Sequence, residues 1–149
     1  MRRKVIVPNN RLLDDVAAMI SSGEQVTLLT KGQSMLPFIV GSRDSVELSP
    51  ITEVKLGDIV LAKLHDPNPR YVIHRVICIE GERITLMGDG NIIGKEYCNQ
   101  SDIIARVTSI IKPHKRINPY SKSMVVYSRL WQILRPIRRY LLAIIRRLS

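Results

Sequence analysis

Asp58-Ile59-Val60-Leu61-Ala62-Lys63-Leu64 and Tyr71-Val72-Ile73-His74-Arg75-Val76-Ile77-Cys78-Ile79 stand on either side of Asp66-Pro67-Asn68-Pro69. Two β-branched, aliphatic runs of strand length with a double-proline turn signal between them predict a β-hairpin. Glu80-Gly81-Glu82 then turns the chain into a third short apolar run, Arg83 to Met87. This region is a meander of strands, and no helix-length apolar pattern interrupts it.

Upstream, Leu12, Leu13, Val16, Ala17 and Ile20 recur at helical spacing, with Asn9 or Asn10 available as a cap and Gly23 placed to stop the helix. Gln25 to Thr30 and Ser45 to Leu48 read as further strands, as does Asp102 to Ile111 downstream. One helix followed by about six strands predicts a small, mainly β domain over residues 1–112. Residues 113–123, which include Pro113 and Pro119, read as a linker, and residues 124–149 as a basic amphipathic helix.

The whole chain has 149 residues and a mass of 17.0 kDa; it is 45% hydrophobic and 24% charged. That composition supports a buried core and excludes wholesale disorder and low-complexity architectures. The net charge of +10 is unevenly placed. Residues 1–111 carry 13 Lys/Arg and 13 Asp/Glu, whereas residues 112–149 carry ten Lys/Arg and no acid. The two cysteines, Cys78 and Cys98, make neither a disulfide framework nor a zinc-ligand pattern, and read as reduced thiols. Met1-Arg2-Arg3-Lys4 resembles the start of a secretory leader, but the apolar run Val5-Ile6-Val7 behind it is cut off at Pro8. No stretch has the roughly 18 apolar residues of a spanning helix. The expected location is therefore the cytoplasm, with the tail as a means of peripheral attachment to the inner membrane surface.

Three short segments bear chemistry. Ser34 follows a glycine in the tight connection Lys31-Gly32-Gln33-Ser34, and Pro37 fixes the chain direction just beyond it. His74 lies within a strand, and Asp89 between Gly88 and Gly90. A serine hydroxyl needs a neighbouring base, which histidine can supply near neutral pH, and a carboxylate can hold the useful imidazole tautomer. Each residue alone also has a plain structural role. Ser34 and Asp89 suit turns, and His74 shares a strand face with Val72 and Val76.

Taken together, Gly32-x-Ser34-Met35-x-Pro37, Gly57-Asp58-Ile59-Val60, Ile73-His74-Arg75-Val76 and Gly88-Asp89-Gly90-Asn91 resemble the ordered boxes of the signal peptidase/LexA-like serine peptidases. The resemblance runs from Lys31 to Asn91. Histidine before Arg75, where most bacterial members carry lysine, is similar to the endoplasmic-reticulum and archaeal type of signal peptidase. The resemblance implies a twisted, partly open β barrel, a serine endopeptidase activity, Ser34 as nucleophile and His74 as general base. It implies Asp89 as the third member, with Glu96 behind it. Lys63 and Lys95 do not occupy the family's lysine position. Gly32 stands where relatives often have a hydroxyl, so the oxyanion hole falls to the Ser34 amide and the Gln33 side chain. The resemblance also implies a peptide or protein substrate laid along a strand edge, and no metal or organic cofactor. An alternative from another class is a LexA-like self-cleaving or non-catalytic regulatory module with a membrane-docking tail. Against the self-cleaving form, too little chain precedes the first strand for a DNA-binding helix pair.

In the tail, Leu130, Leu134, Ile137, Leu141, Ile144 and Leu148 form one apolar stripe if a helix runs unbroken from 126 to 148. On that wheel Arg135, Arg138, Arg139 and Arg146 lie opposite, Trp131 and Tyr140 border the stripe, and Pro136 bends the helix. The pattern predicts an anionic membrane surface as partner, or packing of the stripe on the chain's own domain or on a second copy. The length of the aliphatic stripe argues against nucleic acid, whose phosphates need charge.

Overall fold

The computed structural model describes residues 3–6 and 10–148. Among them the chain is mainly β, with a nine-stranded, largely antiparallel curled sheet and three α-helices. The strands are β1 (Arg3–Ile6), β2 (Val26–Leu29), β3 (Ser45–Pro50), β4 (Ile59–Leu64), β5 (Arg70–Glu80), β6 (Arg83–Met87), β7 (Glu96–Asn99), β8 (Ile103–Ile111) and β9 (Arg116–Ile117). The helices are α1 (Asn10–Ser21), α2 (Lys122–Ile133) and α3 (Arg138–Leu148). The expected cap at Asn9 and the stop at Pro8 lie outside the described residues.

The sheet runs β1-β2-β3-β8-β4-β5-β6-β7, with β9 added to the end of β8. The β4–β5 hairpin forms as its sequence predicts, pairing Leu64 with Arg70 and Ile59 with Arg75. Strand β4 explains its own continuous apolar run, because both of its faces are buried. Ile59 and Leu61 enter one core with β2, β3 and β8, while Val60, Ala62 and Leu64 enter a second core with β5 and β6. The first core is closed by α1, whose Leu13, Val16 and Ile20 sit one turn apart on its buried face. Three irregularities in register, at Glu47/Leu48, Leu61/Ala62 and Val76/Cys78, add the local twist that lets so few strands curl around two cores.

The structure adds three strands to the six expected: β1, β7 and β9. It also corrects the reading of the C-terminal quarter. Residues 113–123 are bound to the sheet rather than acting as a spacer. Arg116–Ile117 pairs with Ile110–Ile111. The Tyr120 hydroxyl donates to the Val107 carbonyl at 2.7 Å and accepts from the Ile59 amide at 3.1 Å.

The helix expected over 126–148 is two helices, separated by a 3-10 turn at Arg135–Ile137 that contains Pro136. A 3-10 turn advances by 3.0 residues, so the break re-phases α3 against α2, and a wheel drawn straight through it fails. The buried face is consequently Trp131, Arg138 and Leu142, and Arg138 is no longer on a polar side. Trp131 and Leu142 pack on Leu36, with Phe38 and Val40 beside them. Most of the expected stripe (Leu130, Ile137, Ile144 and Leu148) stays exposed.

A tail that covers Leu36 is part of the cooperative fold. Trp131→Ala is expected to lower the unfolding free energy by about 3–5 kcal/mol, the range for emptying a buried aromatic site. Chemical denaturation followed by circular dichroism checks this; an unchanged midpoint would mean that the tail packs independently of the barrel.

Candidate active site

Beyond β2 the chain leaves the sheet and turns through Gly32-Gln33-Ser34. Its outer limb is fixed by Asp44, a fully buried carboxylate. The Asp44 carbonyl accepts from the Thr30 amide at 3.1 Å and from the Thr30 hydroxyl at 2.7 Å. Its side chain accepts from the Val40 amide at 2.9 Å and from Lys112 Nζ at 2.6 Å. Between these anchors Met35 starts a helical turn, with the Phe38 and Ile39 amides donating to its carbonyl at 3.0 Å each. Ser34, half-buried, sits at the entrance to that turn.

The Gly88–Asn91 loop, leaving β6, is pressed against this turn. The Gly90 amide donates to the Ser34 carbonyl at 2.7 Å. A Cβ at Gly88 would stand 2.3 Å from the Ser34 carbonyl oxygen, 2.9 Å from Asn91 Nδ2 and 3.1 Å from His74 Nε2. A Cβ at Gly90 would stand 2.2 Å from the Gln33 carbonyl oxygen. The two glycines are there because the backbones approach too closely for any side chain. The same contacts locate the imidazole: His74 Nε2 and the Ser34 carbonyl oxygen both lie beside the Gly88 backbone.

His74 is on β5 and is 6% exposed. Its Nδ1 is hydrogen-bonded to Glu96 Oε1 at the start of β7. A neutral ring in that setting carries its proton on Nδ1, towards the carboxylate, and presents a lone pair at Nε2. Ser34 and His74 line one cleft of about 190 Å³, with Met35, Leu61, Tyr71 and Ile73 among its walls. Strand β5 pairs with β4 over Arg70–Arg75, but with β6 only from Arg75 onward. Along Arg70–His74 it therefore offers one unpaired edge beside the cleft.

Asp89 lies elsewhere. Its carboxylate is 0% exposed and takes a forked bond from Arg75, 2.9 Å from Nε and 2.8 Å from Nη2. Burial works against the Arg75 charge, but Asp89 outweighs it and raises the guanidinium above its ordinary value. Arg75 also donates to the Gly57 carbonyl at 3.1 Å. Trp131 Nε1 donates to the Asp89 carbonyl oxygen at 2.7 Å, and Gln132 Nε2 to Asp89 Oδ1 at 3.4 Å. The structure thus brings Ser34 and His74 to one cleft, ties Glu96 to the far side of the imidazole, and gives Asp89, the expected third member, to Arg75.

The Gly57-Asp58 box is a brace as well. The Val76 amide donates to the Asp58 carbonyl at 2.8 Å, and Arg106 Nε to its side chain at 3.0 Å. Trp131 and Gln132 were not legible as site neighbours, because nothing in the tail's sequence points to the Gly88–Asn91 loop. Glu96 had a signal: once residues 96–99 are read as a strand, Leu86 pairs with both Glu96 and Val76, two residues from His74.

Neither thiol is activated. Both cysteines are free, and burial pushes Cys98 up to about 11. Among the described residues, no group of three or more His, Cys, Asp or Glu side chains converges to hold a metal ion. Compared with known proteins, the chain matches no family model and no curated protein.

The two carboxylates should behave differently when altered. Removing one partner of a buried ion pair costs about 3–5 kcal/mol, so Asp89→Ala is expected to lower the denaturation midpoint sharply. Glu96→Gln, half-buried and still able to accept from His74, is expected to leave the midpoint within roughly 1 kcal/mol of the parent. Equal midpoints for the two variants would show that Asp89 is not the structural member. Gly88→Ala should destabilise as Asp89→Ala does, because the new methyl meets backbone at 2.3 Å.

Proposed function

We propose that this chain is a serine endopeptidase of the signal peptidase/LexA-like type, with Ser34 as nucleophile, His74 as general base and Glu96 as the group that orients it. The observation that carries the reading is the setting of His74. Glu96 occupies Nδ1, Nε2 lies beside the Gly88 backbone that packs on the Ser34 carbonyl, and His74 and Ser34 line one cleft. The curled, largely antiparallel sheet and the order of the four sequence boxes support the same family.

An extended peptide adds to the open edge of β5 at Arg70–His74, which brings a scissile carbonyl to the serine. His74 Nε2 takes the Ser34 hydroxyl proton as Oγ attacks the carbonyl carbon. The oxyanion is met by backbone amides of the Ser34 turn. His74 then gives the proton to the leaving amine, the C–N bond breaks, and Ser34 is left acylated. A water, deprotonated by the same nitrogen, attacks the ester; the acid product leaves and the serine recovers its proton. The cleft walls Leu61, Met35 and Ile73 favour an apolar side chain next to the cleaved bond.

Ser34→Ala and His74→Ala are each expected to abolish cleavage of a peptide library and labelling by a fluorophosphonate, with the fold retained. Glu96→Gln should retain labelling but lower kcat by roughly tenfold to a thousandfold, and shift the pH profile of kcat/KM. Turnover by Ser34→Ala at the parent rate would overturn the proposal. Intact-mass measurement of the purified parent protein distinguishes cleavage in trans from self-cleavage.

A further inference from the structure

The tail helices have two faces, and only one is used by the barrel. The inner face of Trp131, Arg138 and Leu142 packs on Leu36 and the Gly88–Asn91 loop. Away from it, Val126, Leu130 and Ile133 recur along α2, and Tyr140, Ile144 and Leu148 along α3, with Ile137 between the two sets. All seven are exposed, Ile133 at 74% and Leu148 at 83%. Ile93 is 80% exposed two residues after Asn91, whose carbonyl accepts from Arg138 Nη1 at 3.0 Å. So much bare apolar surface on two consecutive helices marks a contact surface.

The charge around this face names the partner. Residues 122–148 contain one Lys, six Arg and no acid. Arg138 is consumed inside, bonded to the Asn91 and Trp131 carbonyls and to Gln132 Oε1, and Arg146 reaches the Gly90 carbonyl at 3.5 Å. Lys122, Arg129, Arg139 and Arg147 are exposed, and among the described residues none of them forms an ion pair. A second copy docking face to face would set arginine against arginine around the apolar patch. A nucleic acid would satisfy the arginines and leave the aliphatic side chains in water. An anionic bilayer satisfies both, taking the apolar side chains at the acyl boundary and the arginines at the phosphates.

We infer that the outer face of α2 and α3 is a docking surface for an anionic phospholipid membrane. The helices lie in the interface plane and do not cross it; among the described residues no helix is long and apolar enough to span. The inference does not depend on the chemistry proposed for Ser34.

Flotation of the full chain tests it. The protein should float with vesicles of mixed phosphatidylglycerol and phosphatidylcholine, and remain at the bottom with phosphatidylcholine alone. Added salt should weaken binding. The triple variant Arg129→Gln, Arg139→Gln, Arg147→Gln should lose affinity by about fivefold per residue, roughly a hundredfold in all. Leu130→Ser, Ile133→Ser, Ile144→Ser should lose at least roughly tenfold; all these side chains are exposed, so the fold survives. Ser34→Ala should bind as the parent does, which separates this result from the fate of the peptidase reading. Failure of the parent to float with the anionic vesicles overturns the proposal. So does equal binding to both kinds of vesicle. A dimer in sedimentation that the apolar triple variant abolishes, without vesicle binding, would assign the face to a second copy and also overturn it.

Discussion

The Arg75–Asp89 ion pair is the constraint on which the other contacts at the site depend. Arg75 sits on β5 next to His74, and Asp89 sits in the loop after β6, so one bond ties strand to loop. The guanidinium has a third bond to Gly57 before β4, and the Asp89 backbone is held by Trp131 of α2 and by Met35 Sδ. Five segments of chain therefore meet at Asp89 and its guanidinium partner. Such a pair adds little net stability against an apolar replacement, since desolvation cancels much of the attraction. Its effect is to exclude alternatives. Separating the two groups would leave a buried charge unpaired, which favours the arrangement in which Gly90 reaches Ser34 and Gly88 passes close to His74.

This also settles why the Gly-Asp-Gly-Asn segment misleads as a catalytic motif. An aspartate between glycines near a histidine-bearing strand looks like the third member of a triad. Read on the molecule, the carboxylate is bonded to the Arg75 guanidinium and to Gln132, whereas the His74 ring is bonded to Glu96. The glycines are equally structural, set by close backbone approach at Gly88 and Gly90. The imidazole finds its carboxylate one strand further on, at Glu96, in a stretch whose mixed polarity hides the fact that it is a strand.

What was legible in the sequence divides along physical lines. Strand β4 could be read because burial on both faces leaves a continuous apolar run, β5 because its β-branched run is long, and α1 because one buried face imposes helical spacing. Strands β1, β7 and β9 have four residues or fewer, and β7 and β9 are of mixed polarity, unlike the equally short but largely buried β2; they form because a neighbouring strand offers an edge. Ser34 and His74 were visible through residue type and the order of the boxes. The partners of Asp89 were not, because an ion pair across 14 residues, or an indole across 42, leaves no trace in local pattern. The tail shows the converse error: its periodicity was real on each helix, but a three-residue 3-10 turn at Pro136 broke the phase between them.

The tail then brings order and exposure into one element. Its inner residues complete the wall behind the Gly88–Asn91 loop, which requires α2 and α3 to be fixed. Its outer residues leave a broad apolar surface in water, a cost that a chain whose only need was to brace a loop would avoid by placing polar side chains there. A helix used solely as a brace needs one apolar face, and a helix used solely as an anchor needs no tryptophan hydrogen-bonded to a buried aspartate. The coexistence of both features on 27 residues that lack a single acid is what a bracing role alone fails to explain. Because Arg138 bonds to the Asn91 carbonyl and to the Trp131 carbonyl, the two helices and the loop share one guanidinium. Any surface that holds the outer face therefore also bears, through Arg138, on the loop that packs against the Ser34 turn.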